Sequence, residues 1–232
     1  MIKRGKKYIN AKKGIDAEQV LSFKQGLEKV KEVAFAKFDE SVDAHINVGI
    51  DPTKGEQVVR GSVLLPHAIG KEPVVIVFAK GDQAEKAKEA GADHIGAEDL
   101  IEKIEAGWVD FNYAVATPDL MGMVGKLAKI LGPKGLLPNK KVGTVTFEVA
   151  PVVTDLKKGK KFFKNDKNAI VHFTIGKVSQ DKDKLYENFV VFLKALSSVK
   201  PASSKGKFLK NITVTSTMGP GISVNPDEIY KL

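Results

Sequence analysis

The chain has 232 residues, 43% of them hydrophobic, enough apolar side chain for one large or two small cores, and its net charge of +9 suits a polyanionic partner. It contains no cysteine, which excludes disulfides, thiolate zinc sites and cysteine nucleophiles. Its apolar runs, such as residues 74–79, are too short to span a bilayer, and the lysine-rich start is not followed by an apolar stretch, so a soluble, cytoplasmic protein with no membrane partner is expected.

Residues 1–14 are basic and poor in core side chains, with Lys3, Arg4, Lys6, Lys7, Lys12 and Lys13 around Tyr8. They read either as an extension that lies on phosphates or as a frayed terminus. Asp16 and Gln19 have capping-box spacing for a helix over 17–34, in which Val20, Leu21, Leu27, Val30 and Val33 form a buried stripe. Lys37-Phe38-Asp39 follows in a turn. Residues 42–48 then alternate strictly, with Val42, Ala44, Ile46 and Val48 on one face and Asp43, His45 and Asn47 on the other. Phe38, beside the strand start, is a core plug or a stacking platform. A turn at 51–55 leads to a second strand at 58–65, with Arg60 and Ser62 on its polar face.

Residues 66–73, with Pro66, Gly70 and Pro73, have loop composition and mark a hinge. Beyond it come a continuous apolar strand at 74–78, a helix at 82–90, a strand stub at 94–95, a helix at 97–106 and a short apolar strand ending at Ala116. Thr117-Pro118-Asp119 supplies a capping hydroxyl, a proline at the first helical position and a carboxylate facing the helix dipole. The helix that follows carries Leu120, Met121, Val124, Leu127, Ala128 and Leu131 on one stripe and is expected to stop at Gly132-Pro133, with a strand later at 144–149. Short apolar strands alternating with helices predict a parallel sheet covered on both faces, a Rossmann-like α/β domain inserted at 68–159.

Residues 153–161 read as a second linker matching the first, so that 1–67 and 160–232 form one discontinuous outer domain. In its second part, 162–168 is a turn, 170–175 an alternating strand with His172 on the polar face, and Asp181 caps a helix to about residue 199 with Leu185, Phe189, Phe192, Leu193 and Leu196 inward. A last strand at 208–217 is apolar at Leu209, Ile212 and Val214. The fold class is thus α/β in two domains, the outer one an α+β layer with one sheet face free to bind. Charge follows the same division: residues 68–159 carry 12 Lys and no Arg against 13 Asp and Glu, while the flanks carry 25 basic and 15 acidic side chains. The excess positive charge therefore sits on the outer domain, interleaved with apolar periodic segments and not blocked into a tail.

No catalytic reading emerges. His45, His67, His94 and His172 are dispersed without metal-ligand spacing, and neither G-x-G-x-x-G after a strand nor G-x-x-x-x-G-K-[S/T] occurs, so an enzyme, a metal and a cofactor are not expected. Gly122 and Gly125 have the spacing of a nucleic-acid clamp but fall inside a predicted helix. Lys134, Lys140 and Lys141 stand among prolines and glycines in a stiff loop that is either a solvated basic turn or an anion contact. Thr215-Ser216-Thr217-Met218-Gly219-Pro220-Gly221 is either an ordinary turn or an RNA-facing corner. Its hydroxyls can meet ribose 2′-OH groups, and its glycines allow the backbone close to a sugar.

The run D-L-M-G-M-V-G-K-L-A-K-I-L-G-P-K-G-L-L-P-N-K-K-V-G-T-V-T closely resembles the signature of the large-subunit ribosomal protein L-one family, bacterial type. The resemblance covers essentially the whole chain, through K-F-D-E-S-V-D-A-H-I-N-V-G-I-D-P, V-R-G-S-V-L-L-P-H and T-S-T-M-G-P-G. It implies a non-enzymatic protein of the ribosome's lateral stalk whose outer domain grips a bent rRNA junction. Matching positions are Lys37, Phe38, Asp166, Lys167, Ser216, Thr217, Met218 and Gly219, with His172 beside them on the polar strand face. Ser216 and Thr217 would meet backbone hydroxyls, Phe38 and Met218 a sugar or base, and Lys37 and Lys167 phosphates. The resemblance also implies that the inserted domain, through Lys134, Lys140 and Lys141, faces exit-site tRNA as the stalk moves and aids release of deacylated tRNA. It implies further that the protein represses its own operon mRNA and is a monomer when free. The alternative is an RNA-binding translational regulator acting off the ribosome.

Overall fold

The strict alternation read over residues 42–48 becomes the central strand of a four-stranded sheet in the computed structural model, which describes residues 5–15, 19–70, 72–204 and 206–231, with 230 and 231 as backbone only. In chain order the elements are α1 (Lys6–Lys13), α2 (Phe23–Val33), β1 (Ser41–Val48), β2 (Arg60–Leu64), β3 (Val75–Phe78), α3 (Asp82–Glu89), β4 (His94–Gly96), α4 (Glu98–Glu105), β5 (Tyr113–Ala116), α5 (Met121–Val124), α6 (Ala128–Lys134), α7 (Val149–Lys157), β6 (Lys160–Lys164), β7 (Ile170–Lys177), α8 (Lys182–Ser198), β8 (Leu209–Ser216) and β9 (Ile222–Val224). Contacts group them into two units, 1–70 with 162–232, and 71–161.

In the first unit the sheet order is β7-β1-β8-β9, with β1 antiparallel to both neighbours. Val42, Ala44, Ile46 and Val48 all point to the side covered by α2 and α8, where they meet Phe173, Ile175, Ile212 and Val214. Aromatic rings join the layers: Phe23 meets Phe189 edge-on at 5.1 Å, and Phe173 stacks on Phe192 at 4.0 Å. Each such buried ring contributes roughly 1.5–3 kcal/mol by leaving water. Helix α8 carries the inward set expected for it, Leu185, Phe189, Phe192, Leu193 and Leu196.

Helix α2 starts later than its periodicity suggests. Asp16 and Ala17, the expected cap and first residue, lie outside the described residues, as do Lys3 and Arg4. The working cap is Ser22, whose Oγ accepts from the Gln25 amide while the Gln25 side chain accepts from the Ser22 amide. Residues 19–21 stay extended because Leu21 donates to Ser223 and accepts from Asn225, adding a bridge beside β9. Val20, expected in the buried stripe, is therefore 58% exposed. The basic stretch before it includes a short helix, α1, with no buried side chain.

The second unit has a parallel sheet of order β4-β3-β5. Ile76, Phe78, Ala114 and Ala116 pack with Leu100, Ile104, Leu120, Val124, Leu127 and Leu131, the stripes of α4 and of the helical segments after β5. The intervening Val75, Val77 and Val115 face the other way, toward the side where α3 and α7 pack.

Three expectations for this region change. The helix after Pro118 alternates between α and 3-10 turns, and it runs through Pro133 to Lys134. It ends where Gly135 takes φ 72°, with Gly135 N–H bonded to Gly132 O and Leu136 N–H to Leu131 O. The strand at 144–149 reduces to one bridge, Ala116 with Val145, before Thr146 Oγ1 accepts from Glu148 and turns the chain. The linker at 153–161 is mostly helix α7: Val149, Val153 and Leu156 recur at helical spacing and are fully buried, so packing overrides their strand-like composition. Residues 162–164, read as turn, complete β6, which pairs with β2. The first linker begins later than residue 66, since the Asn188 side chain bonds both the N–H and C=O of His67, and Gln180 bonds Ala68 O.

Candidate nucleic-acid interface

The sheet face turned away from α2 and α8 has no covering layer among the described elements of its unit, and the alternation that buries the even residues of β1 lines it with polar groups. His45 stands opposite His172 on β7 and Thr213 on β8; Asp43 stands opposite Thr174 and Thr215; Asn47 faces Asn211. These groups bond one another. Thr174 Oγ1 donates to Asp43 Oδ1 at 2.5 Å, the two imidazoles meet Nδ1 to Nδ1 at 2.8 Å, and His172 Nε2 lies 3.6 Å from Asp166 Oδ2. Burial first and the neighbouring His172 second lower the pKa of His45, with Asp43 opposing, so a neutral ring is favoured there.

Antiparallel pairing decides which predicted site residues come together. Lys37 and Phe38 enter β1 at the end where Ser41 and Val42 pair with the close of β8, so they share a corner with Thr217, Met218 and Gly219. Lys37 is exposed, Phe38 is 57% exposed and Met218 53%, so Phe38 is a surface aromatic and not a core plug. Thr217 locks the corner to β1: its N–H donates to Ser41 O at 3.0 Å and its Oγ1 accepts from Ser41 N–H at 2.9 Å. The 37–39 loop is tied at its far side by Asp39, which accepts from the amide and hydroxyl of Ser179.

Lys167 and Asp166 lie elsewhere. They precede β7, at the opposite end of the sheet, about 25 Å away along an eight-residue strand. Asp166 is chiefly a turn former: Oδ1 accepts from the amides of Asn168 and Ile170, and the Ile170 bond leads the effects that hold its carboxyl below the usual range. It also flanks His172, which sits midway along the face. Lys167 is exposed at the turn's tip.

Ser216 needs correction as a surface contact. Strand alternation points it to the core side with Ile212 and Val214, and it is 1% exposed. One residue that sequence reasoning missed is Glu40, 2% exposed, whose Oε1 accepts from the Phe35 and Ala36 amides at 3.0 and 2.7 Å and whose Oε2 accepts from the Met218 amide at 3.0 Å. Burial pushes its pKa up, but the Met218 and Ala36 amides, the nearby Ser216 hydroxyl and the Phe35 amide together outweigh that and hold it below the usual carboxylate range. The Ser216 Oγ stands close to this carboxylate without reaching hydrogen-bond geometry. A glutamate at the mouth of an alternating strand carries no local signal of this role. Thr174 and Thr213 were likewise missed, although the alternation of their strands would have put them on this face.

In the other unit, Lys140 and Lys141 cap a closed loop. Thr144 Oγ1 accepts from the Asn139 amide, and Asn139 Oδ1 accepts from the Lys141 amide, both at 2.8 Å, while Gly143 at φ 82° completes the turn. Both lysines and Lys134 are exposed and stand outside the ion pairs of the described residues. Among the described residues no group of three His, Asp or Glu is placed to hold a metal, and no helix is long and apolar enough to cross a membrane.

Fold and face together define a class: a two-unit α/β protein with an open, hydroxyl- and imidazole-lined sheet in the unit that carries the excess positive charge. The model of the Ribosomal protein L1p/L10e family matches residues 30–220, and the chain belongs to that family. It is accordingly a large-subunit ribosomal protein of a structural, rRNA-binding family.

Proposed function

We propose that the unit formed by residues 1–70 and 162–232 grips the stalk segment of large-subunit rRNA along its open sheet. Lys37 and Lys167 meet phosphates at opposite ends, Phe38 and Met218 pack on a sugar or base, Thr217 meets a backbone hydroxyl, and His172 contacts the RNA between them. The observation that carries this reading is the corner where Lys37, Phe38, Thr217 and Met218 converge from opposite ends of the sequence, exposed and hydrogen-bonded into place. Gly219 serves by letting the corner close. The unit 71–161 meets exit-site tRNA through Lys134, Lys140 and Lys141 and helps release deacylated tRNA. Own-operon mRNA takes the rRNA face, which represses translation, and the free protein is a monomer whose two units move about the segments near residues 70 and 160.

Filter binding of a stalk rRNA fragment and a random RNA across a salt series tests the division of roles. Lys167→Ala should weaken both RNAs alike and lower the salt slope by about one, whereas Thr217→Ala should weaken the stalk fragment selectively. Equal losses from both variants on both RNAs would refute it. Failure to co-sediment with large subunits would favour a regulator acting off the ribosome.

A further inference from the structure

We propose that Glu40 is the positioning residue of the rRNA site, one carboxylate that sets the spacing of its two recognition loops; this rests on the reading that Lys37, Phe38, Thr217 and Met218 contact RNA. The side chain is almost wholly buried, and none of the described cations pairs with it. Burying a carboxylate away from a cation is costly, and here the three backbone amides that face it offset that cost. What a carboxylate does that glutamine cannot is accept on both oxygens. Oε1 takes the amides just before Lys37 and Phe38, and Oε2 takes the amide of Met218, 178 residues away in sequence.

The backbone of Glu40 is itself tied down just before β1, since its carbonyl accepts from the N–H of Val178, just past β7, at 2.9 Å. The two loops are thus referred to one rigid point, which removes part of the ordering cost that RNA binding would otherwise carry. Glu40 touches no RNA in this arrangement. It acts through the placement of Phe38 and Met218.

Charge and placement predict opposite signs. Removing a negative charge from an RNA-binding surface strengthens phosphate attraction, whereas freeing the loops weakens recognition. In the full chain, Glu40→Gln keeps the shape but sets an NH₂ against one of the two sets of amides. The stalk rRNA fragment should bind at least about tenfold more weakly, with random RNA and the salt slope unchanged. Amide exchange at Phe35, Ala36 or Met218 should quicken while the 71–161 unit is unaffected. The loss should be less than additive with Met218→Ala. Glu40→Asp keeps the charge on a shorter arm and should show the same selective loss.

Unchanged or tighter stalk binding by Glu40→Gln, or an equal loss on both RNAs, would overturn the inference while leaving the site reading in place, provided that Lys37→Ala and Met218→Ala weaken the stalk fragment. If those two variants bind it normally, the site reading itself is wrong.

Discussion

Gly219 offers a test in which one atom decides the outcome. It lies just past β8, where its N–H donates to Ser216 O at 3.1 Å and its carbonyl accepts from Thr215 Oγ1 at 3.2 Å. A Cβ at this position would fall on Ser216 Oγ, while the next atoms, Ser216 Cβ at 3.5 Å and Ser216 N at 3.7 Å, stand at ordinary contact distance. Ser216 is buried, so its hydroxyl cannot swing into solvent. Gly219→Ala must therefore open the corner or force Ser216 off its rotamer, at a cost of about 1–3 kcal/mol. Ser216→Ala gives up no well-formed hydrogen bond and should cost under about 1 kcal/mol. In that background Gly219→Ala should recover most of its loss, a coupling of about 1–2 kcal/mol. Urea denaturation of the four proteins measures this, followed by far-ultraviolet circular dichroism together with amide exchange in β1 and β8. The single tryptophan, Trp108, lies in the 71–161 unit and would report on the wrong transition. A double variant that loses the sum of the single losses would refute the steric explanation.

Two further outcomes follow from buried or half-buried polar groups. Asn188 is fully buried on α8 and makes three hydrogen bonds, two to His67 and one to Ile175 O, so Asn188→Ala should destabilise its unit by about 2–4 kcal/mol and speed amide exchange at His67; unaltered exchange there would contradict the anchoring role. Because the pKa of His45 is lowered on folding, the unfolded chain holds that proton more readily, so this contribution to stability is intact above about pH 6.5 and declines as pH falls toward the lower folded value. Denaturation midpoints between about pH 7.5 and 5.5 should fall less steeply in His45→Gln than in the wild type, and equal slopes would assign the effect to other groups.

Much of the architecture was legible because it rests on local repetition. Alternation along β1 and β7 named both faces of the first sheet, the spacing of Leu185 to Leu196 named the inward side of α8, and continuous apolar strands between helices named the parallel sheet. Reading failed where a partner far along the chain outvoted the local pattern. Leu21 is held extended by β9, so α2 waits for Ser22; Val149 to Leu156 looked like strand and linker until α3 and the sheet gave a helix something to pack against. The candidate site divides in the same way. Thr217 and Met218 are singled out by the hydroxyl- and glycine-bearing run around them, whereas Lys37 and Phe38 are named as contacts only through the family resemblance, since a lysine and an aromatic beside a strand start carry no such signal alone.

That these four meet at one corner, that Lys167 lies at the other end of the sheet, and that Ser216 turns inward were settled by strand register. Hydrophobic periodicity tells each segment which side to bury. Only the pairing of segments distant in sequence sets which surfaces become neighbours, and so allowed the buried carboxylate of Glu40 to find amides at both ends of the chain.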